Sequence, residues 1–305
     1  MPAQHHSKRP IWYALGANLA IMTVKALGAF YTGSGALLAE ALHSLADTGN
    51  QGLLLWGLRR AQALPSSKHP LGHGREVYFW SFVVALMLFS MGGLFSIYEG
   101  IHKLTAHEGV RNPWIAVAIV GFALVAEGIS LRAALHHANR LRGERSLWRW
   151  FRETRRSDLL VVVSEDSAAL TGLVFALAAL LATMLSGDPF YDALGSIGIG
   201  ALLVLVALGL AIEIKSLLVG ESASPRTRAR IHEILSESPD VRAVRGLVTL
   251  QYGPDVVVLA RLAMSPASLA KLGAAVEACK RRLRETVPEV SFVHVELDLP
   301  ADEGG

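Results

Sequence analysis

The stretch "LLAEALHSLADTGNQ" (residues 37–51) lies inside an apolar block long enough to cross a bilayer, yet it carries several polar side chains. At about 100° per residue, these side chains fall within one third of the circumference of a helix. They are Glu40, His43, Asp47, Asn50 and Gln51. An ionisable group at the centre of a membrane helix costs about 2.5 kcal/mol or more, so this stripe indicates a functional site.

The rest of the chain predicts an α-helical membrane protein. Apolar residues make up 52% of the sequence. They come in blocks close to or above the roughly 20 residues that a bilayer requires. Prolines lie at or outside the ends of these blocks, where a missing N–H costs little. We predict six spans, at residues 11–31, 36–58, 78–101, 114–135, 159–185 and 193–217.

Lys and Arg residues predict the orientation, because short loops rich in these residues stay on the cytoplasmic side. They concentrate before the first span and in the loops after the second and fourth spans. Both termini should therefore be cytoplasmic. The first block is too long for a signal peptide and lacks a small-residue cleavage site, so we expect a multi-pass protein of a bacterial inner (plasma) membrane, with an organellar membrane as the alternative.

These arginines are best interpreted as contacts to anionic lipid headgroups of the bilayer. No nucleic-acid-binding motif accompanies them, and the net charge is only +3. A nucleic-acid partner is therefore not expected. The single cysteine, Cys279, excludes an internal disulfide and a zinc site built from cysteines.

After Gly220 the pattern becomes that of a soluble domain. A capped amphipathic helix, two β-rich runs around Gly253-Pro254-Asp255, a second amphipathic helix and an alternating strand follow one another. This α-β-β-α-β order predicts a small ferredoxin-like α+β domain, and a division of the chain into residues 1–218 and 219–305. Since such a domain is near the lower size limit for independent folding, we expect a homodimer.

Two pairs of residues could bind a metal ion inside the membrane. His43 and Asp47 are four residues apart, so both can reach one small cation from the same helix face. Glu165 and Asp166 are adjacent carboxylates in the fifth span and need a counter-charge, which a divalent cation supplies. Nitrogen and oxygen ligands suit Zn²⁺, although Co²⁺, Mn²⁺ or Fe²⁺ would also be accepted.

Five further charged residues lie within or near the spans. For most of them, side chains that extend toward the membrane surface are a sufficient explanation. Glu127 lies deeper and is either a proton carrier or a partner for Lys25. The five are Lys25, Glu99, Glu127, Arg132 and Glu213.

Four motifs together resemble the cation diffusion facilitator family, and its zinc-transporter-9-like branch in particular. They are "AEALHSLADTGNQ" (39–51), "HPLGHGREVYFW" (69–80), "EDSAALTG" (165–172) and "GDPFYDALGSIGIG" (187–200). The resemblance implies a homodimeric antiporter that exports divalent metal, usually Zn²⁺, in exchange for protons, with no prosthetic group. His43 and Asp47 then match the second-span ligands, and Asp166 the fifth-span aspartate. Val162 stands where the family has His or Asp, so Glu165 is the candidate replacement.

The resemblance also implies accessory metal sites. His69, His73 and Glu76 occupy a loop where family members can hold a second metal ion. In the tail, four residues are candidates for a regulatory metal at a dimer interface: His232, His294, Glu296 and Asp298. The alternatives are an ordinary cytoplasmic turn for the loop and an ordinary solvated sheet face for the tail.

Transport coupled to protons is the primary functional hypothesis. Bound metal requires neutral His43 and ionised carboxylates, so metal and protons compete for one site. A metal-responsive membrane scaffold or sensor without transport is the alternative, since Val162 weakens the ligand set. An intramembrane protease is not expected, because the chain has no H-E-x-x-H motif.

Overall fold

A computed structural model describes residues 9–106, 110–265 and 269–298. The described residues form two compact units. One contains the residues up to Gly57 together with Trp80–Arg145 and Asp158–Ile214, and the other contains Leu58–Phe79, Ser146–Ser157 and the residues from Lys215 onward. The predicted location of the termini concerns residues 1–8 and 299–305, which lie outside the described ranges.

Six long helical segments contain the six predicted spans. The helices are α1 (Arg9–Thr32), α2 (Gly35–Ala61), α3 (Glu76–Met87), α4 (Phe95–Ala106), α5 (Pro113–Arg142), α6 (Leu147–Glu153), α7 (Ser157–Ser186) and α8 (Phe190–Val219). A π-helical stretch, Leu88–Leu94, joins α3 and α4 into one continuous segment. The short α6 was not predicted.

Four segments within the described ranges are long and apolar enough to cross a membrane by length and composition alone. They are Glu76–Thr105, Pro113–Arg142, Ser157–Ser186 and Phe190–Val219. The described apolar part of α1, Leu19–Thr32, is shorter, and α2 contains the polar stripe. The predicted fold class, a multi-pass α-helical membrane protein with an α+β tail, is confirmed.

Small residues let the third helical segment approach α8 closely. A Cβ on Gly200 would lie 2.7 Å from the carbonyl oxygen of Gly93, and a Cβ on Gly93 would lie 2.6 Å from Val204. Close backbone approach through glycine is typical of membrane helices, which gain contact by packing rather than by the hydrophobic effect.

A buried polar cluster joins the α1–α2 turn to α4 and α8. Asp192, at the start of α8, accepts hydrogen bonds from the Ser34 hydroxyl and from the Gly35 backbone N–H, both at 2.7 Å. Lys103 donates to Asp192 at 3.1 Å and also to the carbonyl of Gly33. Asp192 therefore acts as a cap for the first turn of α2, supplied by a distant helix.

The tail follows the predicted element order. It contains α9 (Pro225–Ser236), β1 (Val241–Tyr252), β2 (Asp255–Met264), α10 (Leu269–Thr286) and β3 (Val290–Leu297). The sheet has the order β1-β2-β3, with β1 antiparallel and β3 parallel to β2. Residues from both helices pack with one sheet face in the core, among them Ile231, Ile234, Val258, Leu262 and Leu283. The alternation of β2 explains this arrangement, because every second side chain points to the same face.

The β1–β2 hairpin turns at Gly253, as predicted. Gly253 has a φ of +67°, in the left-handed region that glycine adopts without strain. Its backbone lies against Gly74 in the loop between α2 and α3, and its carbonyl accepts a hydrogen bond from the Tyr78 hydroxyl at 3.1 Å. Tyr252 in turn donates to the carbonyl of Gly72 at 3.1 Å. The loop and the hairpin therefore form one packed structure.

Gly253→Ala should destabilise this structure by about 2 kcal/mol, because a Cβ would be strained at positive φ and would collide with Gly74. Thermal unfolding of the full chain in detergent measures the effect. Gly273→Ala is the control, since Gly273 is exposed on α10 and nothing lies within 4 Å of a Cβ there. It should be neutral or stabilising by about 0.5–1 kcal/mol. Equal effects of the two changes would contradict the expectation.

Candidate metal site within the helical bundle

His43 and Asp47 lie one turn apart on α2 and face each other. The distance between His43 Nε2 and Asp47 Oδ2 is 3.5 Å. The His43 side chain is 1% exposed, and within the described structure neither ring nitrogen has a hydrogen-bond partner; the same holds for Oδ1 of Asp47. Buried polar atoms normally have partners. These atoms are therefore suited to a cation that binds between the helices.

Glu165 and Asp166 on α7 have different neighbours, as expected for adjacent residues on a helix. Glu165 is buried and accepts a hydrogen bond from the side-chain amide of Asn50 at 2.5 Å, which links α7 to α2. Asp166 accepts a hydrogen bond from the hydroxyl of Ser130 on α5 at 3.1 Å. Two of the polar residues that the sequence singled out, Asn50 and Glu165, therefore contact each other.

A small polar cavity lies between α1, α2, α5 and α7. Its volume is about 20 Å³, enough for one particle of the size of a water molecule. The lining residues are Ile21, Ser44, Asp47, Gln51, Glu127, Val162, Glu165 and Asp166. Three of the four predicted ligands thus line one cavity, and the fourth, His43, is next to Asp47.

The four predicted ligands do not form a complete metal-binding site in the described structure. Across the described ranges, no three His, Cys, Asp or Glu side chains are arranged to hold a metal ion. Val162 lines the cavity and offers no ligand atom, as its sequence position suggested. The assignment of His43, Asp47, Glu165 and Asp166 as ligands therefore stays a prediction.

Lys25 is a functional candidate whose environment the sequence did not reveal. Its side chain is completely buried, so the expected extension toward the membrane surface is wrong for this residue. Its ammonium group lies 3.4 Å from Glu40 and 3.7 Å from Glu127 and donates to Ser44 at 2.8 Å. The pairing with Glu127 was one of the two sequence alternatives. Glu40 was recognised only as part of the polar stripe.

The predicted accessory residues of the α2–α3 loop are neighbours. The ring centroids of His69 and His73 are 4.4 Å apart, and His73 Nδ1 lies 3.7 Å from a carboxylate oxygen of Glu76. Glu76 also lies 3.6 Å from Arg60. A basic partner competes with a metal ion for this carboxylate, and an accessory metal site here stays a prediction.

The predicted accessory residues of the tail are separated. His294 and Glu296 project from the exposed face of β3, while His232 is exposed on α9, which packs on the other face. Glu296 pairs with Arg261 at 3.1 Å and, through that hydrogen bond, raises the pKa of Arg261. Asp298 lies 3.4 Å from Arg245. A regulatory site would need a second chain to join these groups, and it stays a prediction.

Comparisons with known proteins agree with this architecture. The family model for the cation efflux transmembrane domain matches residues 11–219, and the model for the cytoplasmic domain of cation efflux proteins matches residues 223–298. Together they cover the helical bundle and the α+β tail.

Three relatives illustrate the kinds of protein that the chain resembles. Human "Proton-coupled zinc antiporter SLC30A9, mitochondrial" is 33% identical over 231 residues, which are 75% of this chain and 41% of that protein. "Metal tolerance protein C4" of Arabidopsis thaliana is 30% identical over 256 residues, 82% of this chain and 55% of that protein. "Magnetosome protein MamB" of Magnetospira sp. (strain QH-2) is 25% identical over 289 residues, 93% and 92% of the two chains.

The chain spans less than half the length of the human relative. The matched models nevertheless cover nearly all of its own length and describe cation efflux, a transport process and not an enzymatic one. The chain belongs to the cation diffusion facilitator (cation efflux) family and has relatives of the zinc-transporter-9 type.

Proposed function

We propose that this protein is a secondary transporter that exports divalent metal cations, principally Zn²⁺, from the cytoplasm in exchange for protons. The observation that carries the proposal is the carboxylate-lined cavity between apolar helices. Asp47, Glu165 and Asp166 line it, and His43 lies beside it with ring nitrogens that have no hydrogen-bond partner among the described residues. Several carboxylates in so small a volume are tolerable only with a cation or with protons.

Competition between metal and protons couples the two movements. A metal ion requires a neutral imidazole and ionised carboxylates, so its binding releases protons, and protonation releases the metal. If helix movement opens the cavity to one side at a time, the two gradients are linked without any further device. The name of the human relative, a proton-coupled zinc antiporter, supports this choice for the present chain.

The ligand chemistry is compatible with more than one divalent metal, because the site combines one imidazole with several carboxylates. Imidazole favours Zn²⁺, whereas carboxylates also suit Mn²⁺, Fe²⁺ and Co²⁺. We propose Zn²⁺ because His43 is fully buried next to the cavity and because the most similar of the three relatives described is named for zinc. A different divalent ion is the alternative.

We also propose a homodimer that is held in part by the tail, because within the described residues both tail helices pack on the same face of the sheet. A bacterial inner membrane is the proposed location, supported by the match to MamB over most of both chains. The name of the human relative points to a mitochondrial membrane instead, which is the alternative.

A metal-responsive scaffold without transport is a second candidate. Val162 favours it, because an apolar side chain occupies a cavity wall where the family has a ligand. A scaffold binds metal without moving it, so flux separates the two candidates.

Reconstituted vesicles that contain a pH-sensitive dye test the proposal. A gradient of Zn²⁺ should drive proton movement in the opposite direction, and Mn²⁺, Co²⁺ and Fe²⁺ form the comparison panel. Binding of metal without flux would support the scaffold, and neither binding nor flux would overturn both candidates.

Val162→His should shift the preference toward Zn²⁺ over Mn²⁺ by roughly tenfold, equal to about 1.4 kcal/mol, because it adds a nitrogen ligand to the cavity. The ratio of KM values for the two ions measures the shift. Val162→Leu is the matched control, since it adds volume without a ligand atom and should leave the ratio unchanged. The same shift in both variants would show that cavity shape, and not ligation, determines the preference.

A further inference from the structure

Glu127 lies between a polar cavity and the buried ammonium group of Lys25. Its side chain, on α5, lines the cavity that also contains Asp47 and Asp166. The same carboxylate lies 3.7 Å from the ammonium group of Lys25 on α1. Glu127 therefore already pairs with a cation at the edge of the proposed metal position.

Lys25 has other partners that would keep it in place without Glu127. Glu40 lies 3.4 Å from the ammonium group, and the Ser44 hydroxyl accepts its hydrogen bond at 2.8 Å. Glu40 is itself completely buried and does not line the cavity. The absence of a side chain on Gly172 leaves room for the second carboxylate oxygen of Glu40, since a Cβ there would collide with it.

One basic side chain is shared by two acidic side chains in this group. Lys25 contacts both Glu40, at 3.4 Å, and Glu127, at 3.7 Å. An ammonium ion shared by two carboxylates in a poorly hydrated setting leaves one of them available to another cation. Glu127 is the more accessible of the two, with 14% of its side chain exposed against 0% for Glu40.

We propose that Glu127 is a further ligand of the transported metal ion and that Lys25 competes with the metal for this carboxylate. When the metal ion enters, Glu127 turns from Lys25 to the metal, and Lys25 keeps Glu40 and Ser44. The α5 carboxylate thus supplies the ligand that Val162 on α7 does not. The inference rests on the proposed transport function, and it assigns to Lys25 a positioning role.

A second feature of the cavity supports a ligand at this point. The His43 side chain is only 1% exposed, and both of its ring nitrogens lack hydrogen-bond partners within the described structure. Its Nε2 lies 3.5 Å from Asp47, which lines the same cavity as Glu127. Carboxylate groups from α2, α5 and α7 therefore line one small volume, and oxygen and nitrogen ligands of this kind suit divalent cations.

The first test compares Glu127→Gln with Glu213→Gln in reconstituted vesicles. Glu213 lies on α8, away from the cavity, and serves as the control. Glu127→Gln should raise the KM for Zn²⁺ about tenfold, a loss of about 1.4 kcal/mol, while the maximal rate changes little. Glu213→Gln should leave KM unchanged. An unchanged KM in Glu127→Gln overturns the proposal.

The second test asks whether removing Lys25 raises or lowers the KM for Zn²⁺. The double variant Lys25→Met with Glu40→Gln removes the competitor and its main partner together and keeps Glu127. If Lys25 competes with the metal, the KM for Zn²⁺ should fall by roughly threefold, equal to about 0.7 kcal/mol. A purely structural role predicts an unchanged or raised KM, and either result overturns the competition.

A third variant decides the question if the double variant does not fold. Lys25→Arg keeps the basic group and offers Glu127 a bidentate partner, so the KM for Zn²⁺ should rise. An unchanged or lowered KM would overturn the proposal. Failure of the proposed function would look different, because the unaltered protein would then show no metal flux. Normal flux with an unaffected KM in Glu127→Gln would refute only the present inference.

Discussion

Asp47→Asn and His43→Ala should each reduce metal-driven proton movement in reconstituted vesicles by at least about 100-fold. Residues that only orient metal ligands typically cost 10–100-fold when they are changed, so the loss of a ligand itself should exceed that range. Asp47→Asn keeps the shape of the side chain and removes its charge. His43→Ala removes the imidazole that lies 3.5 Å from Asp47, beside the cavity. A stopped-flow record of internal pH after addition of Zn²⁺ measures both.

A histidine and a carboxylate that do not line the cavity serve as matched controls. His102 is an exposed histidine on α4 that stacks with Tyr98, and Glu99 is a carboxylate one turn away on the same helix. His102→Ala and Glu99→Gln should retain nearly full flux. Undiminished flux in both Asp47→Asn and His43→Ala would refute the assignment of the site, and loss in the controls would indicate general damage to the bundle.

Much of the fold could be predicted because the relevant signals are local in sequence. The length of an apolar block predicts a membrane span directly, and all six predicted spans lie inside long helices. The alternation of the last strand and the turn residues around Gly253 predict the sheet and its hairpin for the same reason. Errors at the ends of helices are small because a few extra turns do not change the pattern.

Contacts between distant residues could not be predicted in the same way. Glu165 and Asn50 are hydrogen-bonded although 115 positions separate them. A periodic pattern in the sequence does not show which distant residues form a pair. The polar character of Glu165 and Asn50 indicates only that each needs a partner. Lys25 shows the limit most clearly, since a lysine near the end of a predicted span is usually explained by its flexible stem. Its actual burial depends on where Glu40 and Glu127 lie.

Short elements were also missed. The helix α6 has only seven residues and lies in an arginine-rich stretch between the fourth and fifth predicted spans. Its cap, Ser146, accepts a hydrogen bond from the Arg149 backbone N–H at 3.2 Å, and Trp150 is buried. A serine before an aromatic and basic run is therefore a signal that could have identified this helix.

Asp192→Ala should lower the free energy of unfolding of the full chain by about 3–5 kcal/mol, the cost of leaving a buried charge without its partner. Asp192 and Lys103 are both buried, with side-chain exposures of 1% and 6%. The change would also remove the acceptor for the Gly35 N–H at the start of α2, the helix that carries His43 and Asp47. Unfolding in detergent with increasing denaturant, followed by tryptophan fluorescence, measures the loss.

A double-mutant cycle identifies the source of this stability. Lys103→Met combined with Asp192→Ala removes both charges, so the double variant should be more stable than Asp192→Ala alone, and the remaining deficit is the contribution of the α2 cap. Asp188→Asn is the control, because Asp188 is exposed and its side-chain oxygen accepts a hydrogen bond from the Phe190 N–H. The side-chain oxygen of asparagine can accept the same hydrogen bond. It should change stability by less than about 0.5 kcal/mol. If Asp192→Ala costs no more than this control, the cluster does not hold the helix ends together. If the two single changes add without coupling, Lys103 and Asp192 act independently, and the α2 cap alone explains the loss.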